Sequence, residues 1–428
     1  MTYDEAYEYI KYTDRYGSKP GLETVTELLG RVGNPQDSLK FVHVAGTNGK
    51  GSVLAYVSSA LTEAGYKTGR YISPAVYDYR EKIQIDAAFI PKDAVARLVA
   101  QVRDVCEGMV ADGFRHPTTF EIETAVAFLY FKENDCDIVV AECGMGGRGD
   151  ATNVIKTSLV SIITRVGLDH MEFLGDTLYE IAAQKAGIVK PGNIVVSAPQ
   201  EDEAEEALAS VCREAGVELR VVRTEDIVDA RYIFEAQRFS YKDMKRIKAS
   251  LLGSWQVENA AVAIEAVWAL GEKGFPVSEE ALRKGLSKTM WPGRFMTLDR
   301  HPLFIADGAH NRDAADALLQ TLGLYFRDKR KIFIAGVLAD KDYDYMMSKL
   351  APLAERIIAI TPPDNQRALD AEVLAEDIRQ YNANVETAGS IREAVHKARA
   401  YAREEDLILA FGSLSYMGGL IREARMED

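Results

Sequence analysis

The short run Phe41–Ala45 has the pattern of a buried strand and leads directly into Gly46-Thr-Asn-Gly-Lys-Gly-Ser52, after which a helical pattern starts at once. Strand, glycine-rich turn, Lys-Gly-Ser and helix, in this order, are typical of a phosphate-binding loop. Glycines let backbone N–H groups approach phosphate oxygens, and a helix N-terminus adds favourable partial charge. The spacing is shorter than the general form GxxxxGK[ST]. The alternative is a glycine-rich turn that binds no ligand. The presence of Lys50 and Ser52 argues against this alternative.

Short β-branched runs alternate with longer helical patterns along most of the 428 residues, which indicates parallel α/β architecture. The first predicted strands are Phe41–Ala45, Thr68–Ile72, Asp137–Glu142, Leu159–Arg165 and Ile194–Ser197. A second series comprises Leu303–Ala306, Lys331–Gly336, Arg356–Ile360 and Leu407–Phe411. Predicted helices include Ser52–Ala64 and Ile122–Lys132. The Pro and Gly of Met290–Phe295 separate the two series. We therefore expect two domains, residues 1–295 with a P-loop-type, mostly parallel sheet and residues 296–428 with a smaller, Rossmann-like α/β fold.

The composition argues against several classes of function. Asp and Glu total 65 against 51 Lys and Arg, a net charge of −14, whereas affinity for a nucleic-acid backbone needs a clustered basic surface. No apolar run approaches the roughly 18 to 20 residues that span a bilayer, and the acidic, aromatic N-terminus is unlike a signal peptide. The four cysteines include no CxxC pair, so neither a disulfide framework nor a thiolate zinc site is indicated. We expect a cytoplasmic protein that binds neither nucleic acid nor membrane.

Val44–Ser52 resembles the ATP loop of the Mur ligase superfamily, specifically its folylpolyglutamate synthase and dihydrofolate synthase branch. Further blocks follow in the family's order between about residues 20 and 420. They are Glu142–Val154, Leu168–Gly175, Ile181–Pro191, Trp291–Arg294, Asp307–Asn311, Asp340–Asp342 and Gly412–Leu414. The resemblance implies that residues 1–295 form an ATPase domain and residues 296–428 a glutamate-ligase domain. It also implies ATP and Mg²⁺ as cofactors and allows for a monovalent cation.

The resemblance also implies a set of binding residues. The expected contacts to ATP are Gly46, Thr47, Asn48, Gly49, Lys50, Gly51, Ser52, Asn259, Arg294 and Asp307. The expected magnesium ligands are Ser52, Ser73, Glu142, His170 and Lys185. From the residues alone, Ser73, Glu142 and His170 end or follow predicted strands, where α/β sheets present their ligands. Each also has a local alternative, as a turn serine, a solvated carboxylate or a helix-capping histidine.

Lys185 would be a surface lysine by periodicity alone. The resemblance implies instead that CO₂ carbamylates Lys185, which turns a cation into an anionic oxygen ligand. The expected catalytic residues are Lys50, Lys185 and His310. Lys50 would reach the terminal phosphates, and His310 can meet a phosphate. An arginine such as Arg294 suits a phosphate, and Asp307 can accept hydrogen bonds from ribose hydroxyls.

The chain departs from the family pattern at several positions. Ala75 and Trp255 stand where the family often has histidine, and Gln184 stands where it often has glutamate. We expect the changes at Ala75 and Trp255 to affect the pterin side of the site and not the ATP chemistry. Arg367 matches a family position, but it is more safely interpreted as a solvated loop arginine.

The leading hypothesis is an ATP-dependent amide ligase that joins L-glutamate to a folate or dihydropteroate carboxylate through an acyl phosphate, releasing ADP and phosphate. One alternative is a Mur-superfamily ligase for a peptidoglycan precursor, against which Glu142–Val154 argues. The other is a P-loop switch or transport ATPase, against which Asp307–Asn311 and the Lys185 block argue. The expected partners are therefore ATP, L-glutamate and a folate or dihydropteroate, bound by a monomer. Whether folate, dihydropteroate or both are accepted stays open.

Overall fold

The computed structural model describes residues 1–425, so the last three residues of the predicted second domain lie outside the described residues. The α-helices are α1 Tyr3–Thr13, α2 Glu23–Arg31, α3 Lys50–Glu63, α4 Lys92–Ala111, α5 Thr119–Glu133, α6 Met171–Leu174, α7 Leu178–Lys185, α8 Asp202–Ala215, α9 Gln256–Glu272, α10 Glu279–Lys288, α11 Arg312–Tyr325, α12 Tyr343–Leu350, α13 Ala371–Arg379, α14 Ile391–Tyr401 and α15 Met417–Arg425. The strands are β1 Phe41–Ala45, β2 Thr68–Tyr71, β3 Ile83–Ile85, β4 Ala88–Phe89, β5 Ile138–Glu142, β6 Ser158–Ile163, β7 Ile194–Ser197, β8 Glu218–Val221, β9 Ile227–Ile233, β10 Ala236–Tyr241, β11 Met244–Ala249, β12 Met296–Arg300, β13 Leu303–Ala306, β14 Lys331–Ala335, β15 Arg356–Ile360, β16 Val385–Ala388 and β17 Leu407–Phe411.

The first large sheet has the strand order β4-β3-β2-β5-β1-β6-β7-β8. It is parallel from β2 to β8, and β3 and β4 add antiparallel strands at one edge. Every residue of β1 is buried, because successive side chains enter opposite faces: Val42 and Val44 pack with α3 and α9, whereas Phe41 packs with α5. The carboxyl ends of parallel strands lie along the same edge of the sheet. The loops that follow β1, β2, β5 and β6 therefore meet at this edge.

The second large sheet has the order β12-β13-β17-β14-β15-β16 and is parallel except for the edge strand β12. Helices α11, α12 and α13 cover one face, and α14 and α15 cover the other. The two large sheets confirm the predicted mixed α/β class, with helices on both faces of parallel-rich sheets. β12 begins at Met296, next to the predicted domain boundary. The division into residues 1–295 and 296–428 stays a prediction.

Several predicted elements differ from the observed ones at their ends. Helix α3 begins at Lys50, two residues before the predicted start. The predicted strand Leu159–Arg165 ends at Ile163, where the N–H of Thr164 donates to the carbonyl of Ala45 at the mouth of the loop. The small antiparallel sheet β9-β10-β11 was not predicted, because β9 is largely exposed and shows no apolar alternation.

All four cysteines are free and buried. Among the helices of residues 1–425, none combines the length and apolar character that crossing a membrane requires.

Candidate active site

The loop Gly46–Ser52 is held against the end of β6. The backbone N–H groups of Thr47 and Asn48 both donate to the carbonyl of Arg165, at 2.9 and 3.2 Å. Gly49 precedes α3 with a positive φ of 94°, and a Cβ there would lie 2.6 Å from Oδ1 of Asn259. Glycine is therefore needed at this position both for the backbone conformation and for the close approach of Asn259.

Glu142 ends β5 and is buried beside the loop. Its closest cation is Lys50, whose Nζ lies 3.9 Å from Oε1. Burial raises the pKa of Glu142, while the charges of Lys50 and Arg294 and the backbone amide of Ser73 act to lower it. The predicted ligands Glu142 and Ser73 are therefore neighbours.

Ser52 is buried, and its Oγ accepts a hydrogen bond from Nε2 of Gln256 at 3.1 Å. Gln256 also accepts from Nδ2 of Asn259 at 3.2 Å. This chain of contacts connects the start of α9 to the loop. Gln256 was missed as a site residue, although it lies within the same short segment as Asn259.

Lys185 ends α7 and is 3% exposed, so the surface-lysine alternative is wrong. Its Nζ donates to the carbonyl of Gly46 at 3.0 Å. Burial lowers the pKa of Lys185 to about 7, and the nearby charge of Lys50 acts in the same direction. The amine of Lys185 therefore lies against the phosphate loop. A large fraction of this amine is neutral near pH 7.

His170 precedes α6 in a left-handed conformation, with φ of 53°, and its side chain is 40% exposed. Burial lowers its pKa, with Asp169 opposing. Asp169, which the sequence analysis did not single out as a site residue, pairs with Lys341 at 2.7 Å. This ion pair connects the loop after β6 to the loop between β14 and α12 of the second large sheet.

Within residues 1–425, no cluster of three or more His, Cys, Asp or Glu side chains stands at metal-binding separation. The predicted ligand set contains only two such residues, Glu142 and His170. The remainder would have to come from the hydroxyls of Ser52 and Ser73 and from a modified Lys185.

The second sheet contributes the loop that follows β13. Asp307 is half-buried, and its carboxylate oxygens accept from the backbone N–H groups of Phe295 and Ala309, both at 2.8 Å. These hydrogen bonds stabilise the loop that follows β13, in addition to any contact that Asp307 makes with ribose. Burial raises its pKa, and Arg294 acts to lower it.

His310 does not have the positive charge that a phosphate contact would use. Its Nδ1 lies 2.8 Å from the carbonyl of Gly308, so Nδ1 carries the proton and donates. Burial lowers the pKa of His310 to about 4. The imidazole is therefore neutral at neutral pH, and His310 needs a second proton before it can neutralise a phosphate.

Asn48 of the loop and Asn311 of the second sheet form a reciprocal amide pair. Nδ2 of Asn48 donates to Oδ1 of Asn311 at 3.3 Å, and Nδ2 of Asn311 donates back to Oδ1 of Asn48 at 3.2 Å. The same Oδ1 of Asn311 accepts from the N–H of Ala314 and so caps α11. The phosphate loop is thereby connected to the N-terminus of α11, which packs on the second large sheet.

A cavity of about 90 Å³, here called the cleft cavity, lies between the loop and the second sheet. Its lining includes six of the residues predicted to contact ATP: Asn48, Gly49, Ser52, Asn259, Arg294 and Asp307. Trp255 also lines it, with the guanidinium of Arg165 5.1 Å from its ring centre. The departure at Trp255 therefore lies at the cleft cavity.

A second cavity of about 300 Å³, here called the edge cavity, lies at the end of β2 and β5. Its lining includes Gly51, Arg70, Ser73 and Glu142, and Arg294 lines both cavities. Arg367 lies outside both cavities in an exposed ion pair with Asp340, as expected for a solvated loop arginine.

Two protein-family profiles match the chain. The Mur ligase middle domain matches residues 44–267, and the Mur ligase glutamate ligase domain matches residues 293–414. The dihydrofolate synthase/folylpolyglutamate synthase of Bacillus subtilis is 38% identical over 83% of this chain and 84% of its own length.

Solved structures agree with these matches. The folylpolyglutamate synthase of Mycobacterium tuberculosis complexed with ADP superposes with a TM-score of 0.90 at 28% identity, covering 99% of both chains. Escherichia coli FolC in complex with DHPP and ADP superposes with a TM-score of 0.85 at 29% identity, covering 97% of both. The chain belongs to the folylpolyglutamate synthase and dihydrofolate synthase family of the Mur ligase superfamily.

Proposed function

We propose that this chain is an ATP-dependent ligase that joins L-glutamate to a carboxylate of folate, with dihydropteroate as a second acceptor. One observation carries the proposal: the phosphate loop separates two cavities. Gly51 lines the edge cavity, Ser52 lines the cleft cavity, and Arg294 lines both. A nucleotide in the cleft cavity would therefore direct its terminal phosphate towards an acceptor in the edge cavity.

The proposed reaction has two steps. The acceptor carboxylate attacks the γ-phosphorus of ATP, which forms an acyl phosphate and releases ADP. The amine of glutamate then attacks the acyl carbon, the C–O bond to phosphate breaks, and the amide product, inorganic phosphate and a proton are released. Lys50 and Arg294 would offset the charge on the transferred group, and positioning would supply much of the catalysis.

We propose Mg²⁺ as the metal of this site. Glu142 is a buried carboxylate whose cationic neighbour stands 3.9 Å away, and the hydroxyls of Ser52 and Ser73 supply further oxygen ligands. Oxygen ligands of this kind fit Mg²⁺. His170 and carbamylated Lys185 would complete the set. When bound, the ion would neutralise charge on the phosphates.

The cleft cavity, at about 90 Å³, is smaller than the roughly 300 Å³ or more of ordinary ligand pockets. We therefore propose that residues 1–295 and 296–428 act as two domains that separate to admit ATP and close before chemistry. Closure would protect the acyl phosphate from water.

We also propose a cytoplasmic monomer, consistent with the acidic, cysteine-poor composition.

The proposal is tested by measuring ADP release and amide product with purified protein. A ligase requires ATP, an acceptor and L-glutamate together, and replacing glutamate by alanine or glycine should stop product formation. Parallel reactions with dihydropteroate and with a folate monoglutamate identify the acceptor. ATP hydrolysis that is indifferent to acceptor and amino acid would instead indicate a switch ATPase and would contradict the proposal.

A further inference from the structure

Arg70 is a buried arginine in the strand β2, with 6% of the residue exposed. Its neighbours across the sheet are Val140 of β5 and Gln84 of β3. Ser59 is the one hydrogen-bond partner of its side chain within residues 1–425, accepting from Nη2 at 3.1 Å. Nε is buried without a partner.

Arg70 forms no ion pair within 4.0 Å among residues 1–425, and Asp86 acts on its guanidinium only from a longer distance. Burial lowers the pKa of Arg70 to about 10, so the group is still charged at neutral pH. A buried charge without a direct ion-pair partner is costly, because the desolvation penalty is only partly offset. A guanidinium also presents five donors, and only one is used here.

Arg70 lines the edge cavity, and the other charged groups in that cavity are differently engaged. Glu81 accepts from the backbone N–H groups of Val76, Tyr77 and Asp78, at 2.9, 2.8 and 2.7 Å. Lys288 pairs with Glu63 at 2.7 Å. Arg70 is thus a buried cation that lines the cavity and forms no ion pair within residues 1–425.

The position of Arg70 also fits a substrate that reacts elsewhere in the cavity. Its partner Ser59 follows Gly51 by eight residues on the same helix, which at about 1.5 Å per residue places it about 12 Å from the phosphate loop. A group bound at Arg70 would therefore be a substrate group other than the carboxylate that reacts beside Glu142.

We propose that Arg70 is a specificity-determining residue that binds a non-reacting substrate carboxylate in the edge cavity. The inference rests on the proposed ligase function, whose substrates are rich in carboxylates. Two sources share this chemistry: the incoming glutamate, and the glutamyl unit of a folate acceptor. Arginine suits the role because its planar fork can hold a carboxylate through two hydrogen bonds.

The test compares wild type with R70Q and R70K by measuring kcat and the KM of each substrate. R70Q should raise the KM of the recognised substrate about 10- to 100-fold, as expected for the loss of hydrogen bonds to a charged group. R70K, which keeps the charge but loses the fork, should give a smaller rise. The KM of ATP should stay unchanged in both.

The choice of acceptor distinguishes the two sources. Dihydropteroate has no carboxylate besides the reacting one, so a raised glutamate KM in reactions with dihydropteroate would identify the incoming glutamate. A raised KM confined to folate would identify the acceptor's glutamyl unit. The matched control is K288Q, which removes another cation from the same cavity and should leave all KM values near those of wild type.

Unchanged KM values in both R70Q and R70K, with an active wild type, would overturn the inference and leave the ligase function standing. An equal effect on every kinetic constant, ATP included, would show a structural role and would overturn it as well. Absence of ligation by the wild type would overturn the proposed function itself, and this inference with it.

Discussion

Lys50 and Lys185 donate hydrogen bonds to the same carbonyl oxygen, that of Gly46, at 3.2 and 3.0 Å. Lys50 begins α3 and Lys185 ends α7, so the fold brings together two cations from distant parts of the chain. Two ammonium groups around one oxygen repel each other, and protonation of one disfavours protonation of the other. This repulsion and burial together account for a Lys185 pKa of about 7.

We expect Lys185 to form a carbamate with CO₂. Only the neutral amine reacts, so the ¹³C NMR signal from labelled bicarbonate should grow as the pH rises through about 7. Lys50→Ala removes the repelling charge and should move this rise to higher pH. Lys185→Met should remove the signal, and a signal that persists in Lys185→Met, or full activity of Lys185→Ala, would refute the assignment.

Lys50→Ala should lower kcat at saturating ATP by roughly 10²–10³-fold, since it removes a charge aimed at the transferred phosphate. Lys50 is partly exposed and contributes no core packing, so the melting temperature should change little. Lys284→Ala, on the exposed face of α10, provides the matched control. Turnover close to wild type would mean that the loop does not hold the reacting phosphate.

ATP binding should be accompanied by proton uptake at His310. The pKa of this imidazole is about 4 because it is buried, and a phosphate placed beside Nε2 would raise it. Titration calorimetry in buffers of different ionisation enthalpy should detect the uptake at neutral pH. His310→Gln should abolish it, and identical apparent enthalpies in all buffers would contradict a phosphate contact at this residue.

Without nucleotide, His310 should make stability depend on pH in a defined direction. Its pKa is lowered from the ordinary 6.5 to about 4, so the unfolded state binds more protons between these values. The stability that neutral His310 provides is therefore complete above about pH 6.5 and is lost as the pH falls towards about 4. Urea unfolding across this window should show a shallower loss for His310→Gln than for wild type.

Residues 1–295 expressed alone should form no amide product. This fragment keeps Lys50, Glu142 and Lys185 but lacks Asp307 and the Asn311 partner of Asn48. We expect it to fold, as its own large sheet and both covering helix layers are present, and to bind ATP more weakly than the full chain. Near-normal ligation by the fragment would show that the second sheet is dispensable.

Local sequence was sufficient for five of the predicted strands and for the loop. Phe41–Ala45, Ile194–Ser197, Leu303–Ala306, Arg356–Ile360 and Leu407–Phe411 occur as strands at the predicted residues. Their apolar runs and flanking turn residues are contained within a few positions, so no distant contact is needed to specify them. The order of motifs along the chain was likewise enough to indicate the family.

The tertiary structure determines which charged groups are buried and how their pKa values are shifted. Lys185 has the periodicity of a surface residue, and only its packing against a carbonyl 139 residues away buries it and lowers its pKa. Burial against neighbouring loops lowers the pKa of His310, and Arg70 forms no ion pair within residues 1–425 because β2 presents it to a cavity. Burial and charge separation depend on atoms from elements far apart in the chain, and these quantities appear only when the two sheets are in place.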